Sequence, residues 1–249
     1  MKTTKIEWTE HTWNPVTGCT KFSEGCAHCY AEVMSRRLCA MGNSKYANGF
    51  KSTMHINALT EPLKWRKPST IFVCSMSDLF HKDVPFEFID KVFKVIEETP
   101  HHNYQILTKR AERMAEYFAI RNIPRNVWVG VTVENENTKQ RIGYIRNLKA
   151  VVKFLSCEPL IGDLGELDLH GINWIIVGGE SGTQARPMKE EWVLNIKKQA
   201  DANNIPFFFK QWGTWSKDGI KGNKKINGKL LQGKVVQNMP NMPNIISHK

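Results

Sequence analysis

Short apolar runs alternate with amphipathic segments through the middle of this 249-residue chain. Apolar runs of four or five residues, rich in β-branched and aromatic side chains, predict buried strands. Segments with apolar residues three and four positions apart predict helices between those strands. The predicted strands cover residues 71–74, 104–107, 127–131, 151–155, 174–177 and 205–209, and the predicted helices cover residues 31–38, 86–98, 110–118, 139–148 and 191–202.

Strands that alternate with helices pair in parallel through right-handed crossovers. A further strand or turn at residues 14–18 brings the count to about seven, which is short of a complete eightfold barrel. The sequence therefore predicts an α/β fold, a partial or imperfect (β/α) barrel of about six to seven parallel strands. A doubly wound open sheet is the alternative. One domain is expected over residues 1–215, and residues 216–249, rich in Lys, Asn, Gly and Pro, are expected to form an irregular basic tail.

Polar residues follow every predicted strand. In a parallel barrel, the loops after the strands form the active face. The polar strand ends are residues 75–78, 108–110, 132–136, 156–159, 178–182 and 210–213. Each apolar strand is followed by acids, bases or thiols, and a barrel would bring these groups together at one end. The sequence therefore predicts one shared site.

Three of the six cysteines stand within eleven residues, in the spacing C-x6-C-x2-C. They are Cys19, Cys26 and Cys29, and thiolates this close in sequence can surround a soft metal or an iron–sulfur cluster. A structural zinc site usually takes four ligands, and His28 or Cys39 would supply the fourth. An iron–sulfur cluster held by three cysteines leaves one iron open to a cosubstrate. The sequence favours the iron–sulfur interpretation, with zinc as the alternative.

A compact cluster of three cysteines followed by β/α units resembles the radical S-adenosylmethionine (SAM) superfamily. The motifs WNPVTGC, GCAHCYAE, SMSDLF, SCEPL and KQWG occur in this order between residues 13 and 213. Together they resemble a phage- and prophage-associated family of unassigned function, and the resemblance extends loosely to spore photoproduct lyase, a DNA-repair radical SAM enzyme. The usual superfamily spacing is C-x3-C-x2-C with an aromatic residue before the third cysteine. Here the first gap holds six residues and His28 occupies the aromatic position.

The resemblance implies a [4Fe–4S] cluster on Cys19, Cys26 and Cys29, with SAM on the open iron and a flavodoxin- or ferredoxin-type electron donor. It also implies cofactor-binding residues in the cysteine loop and after three strands. These are His28, Tyr30, Ser77, Asp78, Lys109, Glu134 and Asn135. By position, Ser77 and Asp78 would bind the amino group of SAM, and Glu134 or Asn135 would bind its ribose. Lys109 would pair with the SAM carboxylate or with a substrate phosphate.

Cys157 follows a predicted strand between Ser156 and Glu158. By loose analogy with spore photoproduct lyase, its thiol would act catalytically and donate a hydrogen atom to a substrate radical. The alternative is a small buried cysteine, which is the commoner fate of this residue type.

The formal net charge of +11 is unevenly distributed. Residues 217–249 hold seven lysines and one acid, a net charge of +6. Such an excess suits a polyanion, because displaced counterions favour binding; a solubilising extension is the alternative. Trp212 and Trp215, beside Lys210 and Lys217, resemble a surface for stacking on bases and binding phosphate, although packing is the commoner role of barrel aromatics.

No apolar run in the sequence reaches the roughly eighteen residues of a membrane-spanning helix. The first residues lack the apolar segment of a signal peptide, so a cytoplasmic location is expected. The leading hypothesis is a radical SAM-type enzyme that acts on a nucleic-acid base or nucleotide, in repair or modification. The alternative is a metal-stabilised phage nucleic-acid-binding protein without redox activity.

Overall fold

The computed structural model describes residue 4 and residues 6–241. The main sheet consists of β1 (His11–Trp13), β2 (Thr70–Val73), β3 (Asn103–Thr108), β4 (Val127–Thr132), β5 (Val152–Cys157), β6 (Trp174–Gly178) and β7 (Phe207–Gln211). The helices are α1 (Tyr30–Ala40), α2 (Phe86–Glu98), α3 (Ala111–Phe118), α4 (Arg141–Arg146), α5 (Glu190–Ala202) and α6 (Lys224–Asn227). Among these described segments, no helix has the length and apolar character needed to cross a bilayer.

The seven strands lie in the sheet in the order in which they occur in the chain. Every neighbouring pair is parallel, from β1 against β2 to β6 against β7. A doubly wound sheet reverses its strand order at a switch point, and this sheet has no reversal. The sheet curls into a half-barrel, so the prediction of a partial (β/α) barrel is confirmed.

The first strand differs from its predicted position. His11–Trp13 pairs with β2, with His11 opposite Ile71, whereas Val16–Thr17 pairs with Thr53–Met54 in a small antiparallel sheet. Pro15 lies between the two segments and has no N–H to donate to a strand partner, so the main sheet ends before it. Residues 158–173 contain neither helix nor strand.

Alternate residues of each strand face the helices and form the larger core. On β4 these residues are Val127, Val129 and Val131. The helices meet them with apolar stripes; α2 buries Ile89, Val92 and Ile96 at helical spacing, directly after Pro85. Proline before the first turn fits because the first N–H groups of a helix have no intrahelical partner.

The concave side of the half-barrel is filled by a second core that is mostly aromatic. Trp8, which precedes β1, packs edge-on against Phe72 and Trp174, with ring centroids 4.7 and 6.2 Å away. The strand residues of this core are Phe72, Trp128, Val152, Phe154, Trp174, Ile176 and Phe208. A barrel interior filled with side chains is a packed core and not a pore. The chemistry is therefore confined to the strand ends.

The C-terminal residues pair with the outer edge of β7. Val236 accepts a hydrogen bond from the backbone of Phe209 at 2.7 Å, and the N–H of Asn238 donates to Phe207 at 3.1 Å. A two-residue hairpin, Leu230–Leu231 with Lys234–Val235, precedes this contact. The described part of the predicted tail therefore contains regular structure, and residues 236–238 cover a sheet edge that would otherwise expose unpaired backbone groups. Residues 242–249 of the predicted tail lie outside the described residues.

Candidate functional site

Polar residues that follow the strands contact one another at the C-terminal end of the half-barrel, which we call the mouth. Thr108 ends β3 and donates through Oγ1 to Asp78 Oδ1, which follows β2, at 2.7 Å. Lys109 pairs with Glu134, which follows β4. The predicted grouping of polar strand ends is therefore present between neighbouring strands.

The cysteine loop, residues 18–29, lies beside the mouth. Gly18 has a φ of +75°, and a Cβ at this position would lie 2.2 Å from the carbonyl oxygen of Lys51. Only glycine accepts both this backbone conformation and this close approach. The Gly18 N–H donates to Met76 at 3.2 Å, and the Cys19 N–H donates to Phe50 at 3.0 Å. These bonds direct the loop over the end of β2.

A buried ion pair holds the first part of the loop. Arg110 donates from Nη1 to Asp78 Oδ2 at 2.9 Å, and both side chains are 8 % exposed. The same nitrogen lies 3.6 Å from Cys19 Sγ, and Nη2 donates to the Thr20 carbonyl at 3.1 Å. His81 Nδ1 accepts from the Asp83 N–H, so neutral His81 carries its proton on Nε2 and donates it to Thr20 Oγ1 at 2.8 Å.

A second ion pair holds the middle of the loop. Glu134 is fully buried, pairs with Lys109, and accepts a hydrogen bond from Ser23 Oγ at 2.8 Å. Burial alone would raise the pKa of Glu134, but attraction and hydrogen bonding to Lys109, with help from Ser23 and Arg141, lower it overall. A Cβ on Gly25 would lie 2.5 Å from the Glu134 carboxylate. The loop therefore packs directly on an ionised carboxylate.

A third ion pair reaches the loop from the far side of the mouth. Arg186 forms a fork with Glu180, which follows β6, through Nε at 2.9 Å and Nη2 at 2.7 Å. The Nη2 atom also donates to the Glu24 carbonyl at 3.1 Å. Paired hydrogen bonds of this kind fix the direction of an arginine side chain. Three acid–base pairs on different strand ends thus fasten one loop.

The three thiols of the loop are partly buried. Burial raises the pKa of Cys19 to about 11; the charges of Asp78 and Cys26 add to this effect, whereas Arg110 opposes it. Burial also raises the pKa of Cys29; backbone hydrogen bonds oppose this, Cys26 adds to it, and Lys109 opposes it. Cys26 therefore interacts electrostatically with both other thiols.

Three thiols facing two cations are suitable ligands for an iron–sulfur cluster, because bound thiolates carry negative charge that the cations offset. In the cluster each cysteine binds a different iron, whereas a zinc site gathers its ligands around one ion. Among residues 4 and 6–241, no three His, Cys, Asp or Glu side chains are grouped around the position of a single metal ion. The residue types suit an iron–sulfur cluster, with zinc as the alternative, and which of the two these cysteines would hold stays a prediction.

The inner wall of the mouth carries a further ion pair. Lys210 at the end of β7 donates from Nζ to Glu158 Oε1 at 2.5 Å, and both side chains are about one-fifth exposed. Tyr30, the residue after Cys29, donates its hydroxyl to the Ser75 carbonyl at 2.5 Å. Most of the Tyr30 side chain is exposed, but its hydroxyl end is desolvated, which raises the pKa of the hydroxyl, and the charge of Glu158 adds to the effect. Tyr30 thus links the third cysteine to this wall.

Several residues predicted to bind the cosubstrate are occupied by protein partners. Ser77 Oγ donates to the Val16 carbonyl at 2.7 Å. The Asp78 carboxylate accepts from Thr108 and Arg110, and the Glu134 carboxylate accepts from Ser23 and Lys109. Sequence position alone did not indicate these protein contacts, and binding of the cosubstrate by these residues stays a prediction.

The remaining predicted residues are more accessible. His28 is partly exposed within the loop, and Tyr30 is 58 % exposed. Asn135 Nδ2 donates to the Glu24 carboxylate at 3.1 Å, again from a strand end to the cysteine loop. Contact of these residues with a cosubstrate stays a prediction.

Cys157 faces the helix layer. It is fully buried in the larger core with Leu155 and Val177, while its neighbour Ser156 belongs to the opposite face of β5. Desolvation by burial raises the pKa of the Cys157 thiol to about 12. The structure does not bring this thiol together with the loop cysteines, so hydrogen-atom donation by Cys157 stays a prediction.

The sequence did not single out Arg110, His81 or the Glu180–Arg186 pair. Arg110 and Glu180 each follow a predicted strand, and this position is the sequence signal that could have identified them. Their partners lie in other segments of the chain, which the sequence does not indicate. The predicted stacking surface is wrong for Trp212, which is 2 % exposed and packs on Phe209. Trp215 is partly exposed and donates to the Ala185 carbonyl at 2.6 Å.

The fold and the site together define a class of protein, a parallel (β/α) half-barrel with a three-cysteine loop fastened beside its mouth. Residues 3–240 match the model of a family described as "Protein of unknown function (DUF5131)", and the chain belongs to this family. No curated protein matches the sequence significantly.

Among solved structures, the chain is similar to one described as "Spore photoproduct lyase complexed with dinucleoside spore photoproduct". The TM-score is 0.48 and the sequence identity is 10 %. The similarity covers 80 % of this chain and 63 % of the lyase chain.

Proposed function

We propose that this protein is a radical SAM-type iron–sulfur enzyme that acts on a nucleic-acid base or nucleotide, in repair or modification. The observation that carries the proposal is the attachment of the three-cysteine loop beside the mouth by three ion pairs, each from a different strand end. A loop that only filled space would not need buried charges at each anchor, because buried ion pairs are costly to form.

Cys19, Cys26 and Cys29 would hold a [4Fe–4S] cluster. Held there, the group would supply an open iron position for SAM and, from a flavodoxin- or ferredoxin-type donor, the electron that reductive cleavage of SAM requires at the start of radical chemistry. Arg110 and Lys109 offset the negative charge of the thiolates, because both act electrostatically on these cysteines. The buried thiols lose their protons on metal binding, which makes cluster assembly pH-dependent.

The mouth residues would position the reactants. The inner wall next to the third cysteine is polar, and it is formed by Tyr30, Glu158 and Lys210. A positive and a negative group side by side suit a zwitterionic amino acid moiety such as that of SAM. Ser77, Asp78, Lys109 and Glu134 would act by holding the loop, and His28 and Asn135 remain candidates for direct contact. Correct placement is the main contribution of a protein to this type of reaction.

The test is anaerobic purification, reconstitution with iron and sulfide, and incubation with SAM and dithionite. We expect about four irons per chain and formation of 5′-deoxyadenosine, measured by mass spectrometry. The variant Cys26→Ser should lose both, whereas Cys39→Ser should keep both. Cys39 is the matched control because it lies on α1 outside the loop and its thiol contacts the Ala47 carbonyl.

A colourless protein that binds one zinc under the same conditions would contradict the enzymatic proposal. That outcome would support the alternative, a metal-stabilised nucleic-acid-binding protein without redox activity. Iron retained by Cys26→Ser would contradict the assignment of Cys26 as a ligand, and iron lost from Cys39→Ser would show that the ligands are not confined to the loop.

A further inference from the structure

A cavity of about 740 Å³ lies between the cysteine loop and the beginnings of α3 and α4. Residues 20–24 of the loop line one wall, and residues from the two helix starts line the others. Within the described part of the chain, the lining includes none of the three loop cysteines and neither Glu158 nor Lys210 from the inner wall. The cavity therefore borders the cysteine loop and is lined by residues other than those of the inner wall.

The lining is strongly cationic. Two acidic side chains, Glu24 and Glu112, are outnumbered by six basic ones. The basic residues are Lys21, Lys82, Lys109, Arg110, Arg113 and Arg141. A concave surface with one dominant sign of charge concentrates ligands of the opposite sign.

Part of this positive charge has no carboxylate partner. Arg113 donates to the carbonyls of His81 and Val84, both at 2.9 Å, and these are neutral acceptors. Burial lowers the pKa of Arg113, as expected for a desolvated cation without an ion pair. Lys82 is exposed and, in the described structure, forms no ion pair or hydrogen bond. Arg110 and Lys109, by contrast, already pair with Asp78 and Glu134.

Two aromatic rings are exposed at the same cavity. Phe22 is 54 % exposed, although it is apolar, and Tyr144 is 40 % exposed. The guanidinium carbons of Arg110 and Arg141 lie 4.9 and 5.6 Å from the centroid of the Phe22 ring. Cation–π contacts hold this ring in place without burying it. Exposed rings in a cavity that also holds several basic side chains form the kind of surface on which proteins stack bases and bind phosphates.

We infer that this cavity binds a nucleoside phosphate, either free or within a single-stranded nucleic acid, with a base on Phe22 and phosphate near Lys82 and Arg113. The inference names a substrate class for the proposed function. It rests on the proposed function, because only that function says what happens to the bound base. Binding itself requires no cluster.

The test is fluorescence anisotropy with a labelled ten-nucleotide oligothymidylate, using the full chain without SAM or reductant. The double variant Lys82→Gln/Arg113→Gln should weaken binding about tenfold and lower the slope of log K against log salt by roughly 1.4, as expected for two lost phosphate contacts. The matched control is Lys224→Gln/Lys225→Gln in α6, which removes the same charge from the basic C-terminal region. We expect the control to keep the wild-type affinity within about twofold.

The variant Phe22→Leu tests the base contact, since an exposed position tolerates the change. We expect about a tenfold loss with oligothymidylate, as for one lost stacking contact, and no loss with an abasic oligomer of equal length. Competition experiments then distinguish a free nucleotide from a strand as the ligand. Thymidine monophosphate is the competitor, and inorganic phosphate at equal ionic strength is the reference. Binding of either ligand supports the inference.

Equal losses of affinity in Lys82→Gln/Arg113→Gln and in Lys224→Gln/Lys225→Gln would overturn the inference, as would an unchanged affinity in Phe22→Leu. Iron content and 5′-deoxyadenosine formation are measured on the same preparations. A protein that binds through the cavity but assembles no cluster contradicts only the proposed function. A protein that forms 5′-deoxyadenosine but does not bind through the cavity contradicts only this inference.

Discussion

The guanidinium of Arg110 lies against the thiol of Cys19, with Nη1 3.6 Å from Sγ. Asp78 fixes this guanidinium from the other side, and Asp78 is itself held by Thr108 at the end of β3. A chain of contacts therefore runs from the barrel wall to the first cysteine. The position of the loop depends on the sheet beneath it and not on the loop sequence alone.

Asp78→Asn should destabilise the protein by about 3 kcal/mol, because it leaves the buried Arg110 without its counterion. The measurement is the free energy of unfolding in urea at pH 7. Asp218→Asn, which changes an exposed carboxylate, is the control and should stay within about 0.5 kcal/mol of wild type. Similar values for the two variants would show that the Asp78–Arg110 pair contributes nothing.

Glu134 should make the free energy of unfolding depend on pH in the acid range. Because Lys109 and other partners lower its pKa in the folded state below the ordinary value of 4.5, the ionised side chain stabilises the fold above that value. This stabilisation decreases as the pH falls through the folded pKa. Wild type should exceed Glu134→Gln in unfolding free energy by about 2 kcal/mol at pH 7, and the difference should shrink below pH 4.5. A constant difference down to pH 3.5 would contradict the assignment.

Gly25→Ala should disturb the loop, because the added Cβ would lie 2.5 Å from the buried Glu134 carboxylate. We expect a loss of about 1–3 kcal/mol, as for other overpacked positions, and reduced iron binding after reconstitution. Gly143→Ala in α4 is the matched control, since nothing lies within 4 Å of its added Cβ. The control should gain about 0.5–1 kcal/mol from helix propensity. Normal iron binding by Gly25→Ala would indicate that the loop can shift away from Glu134 without losing the arrangement of its cysteines.

Most strands and helices were predictable from the sequence because each has its own apolar pattern. The run Trp174–Gly178 is apolar on both faces, as expected of a central parallel strand. The prediction of the first strand was less accurate, since His11–Trp13 is three residues long and acquires strand geometry only by pairing with β2. Short strands of this kind depend on tertiary contacts that local patterns do not contain.

The site was predictable as a set of strand ends but not as a set of contacts. Glu134 and Ser23 are 111 residues apart in sequence, and Arg186 reaches Glu24 across 162 residues. No local pattern indicates which acid will meet which base over such separations. The sequence predicted Glu134 as a ligand-binding residue, and this stays a prediction; its full burial and its bonds to Lys109 and Ser23, which hold the loop, were not predictable.

Trp8 precedes the first strand of the sheet and fills the open side of the half-barrel. It is 4 % exposed and packs on Phe72 and Trp174. Trp8→Ala should cost about 3–5 kcal/mol through lost burial and the resulting void, measured by urea unfolding. Trp8→Phe should cost only about 1 kcal/mol, because it keeps an aromatic ring and removes a buried indole N–H that has no partner in the described structure. Ile120→Ala, at a residue 85 % exposed, is the control and should stay near wild type. If all three variants unfold like wild type, the aromatic core of the half-barrel is stable without Trp8 and the N-terminal segment does not close it.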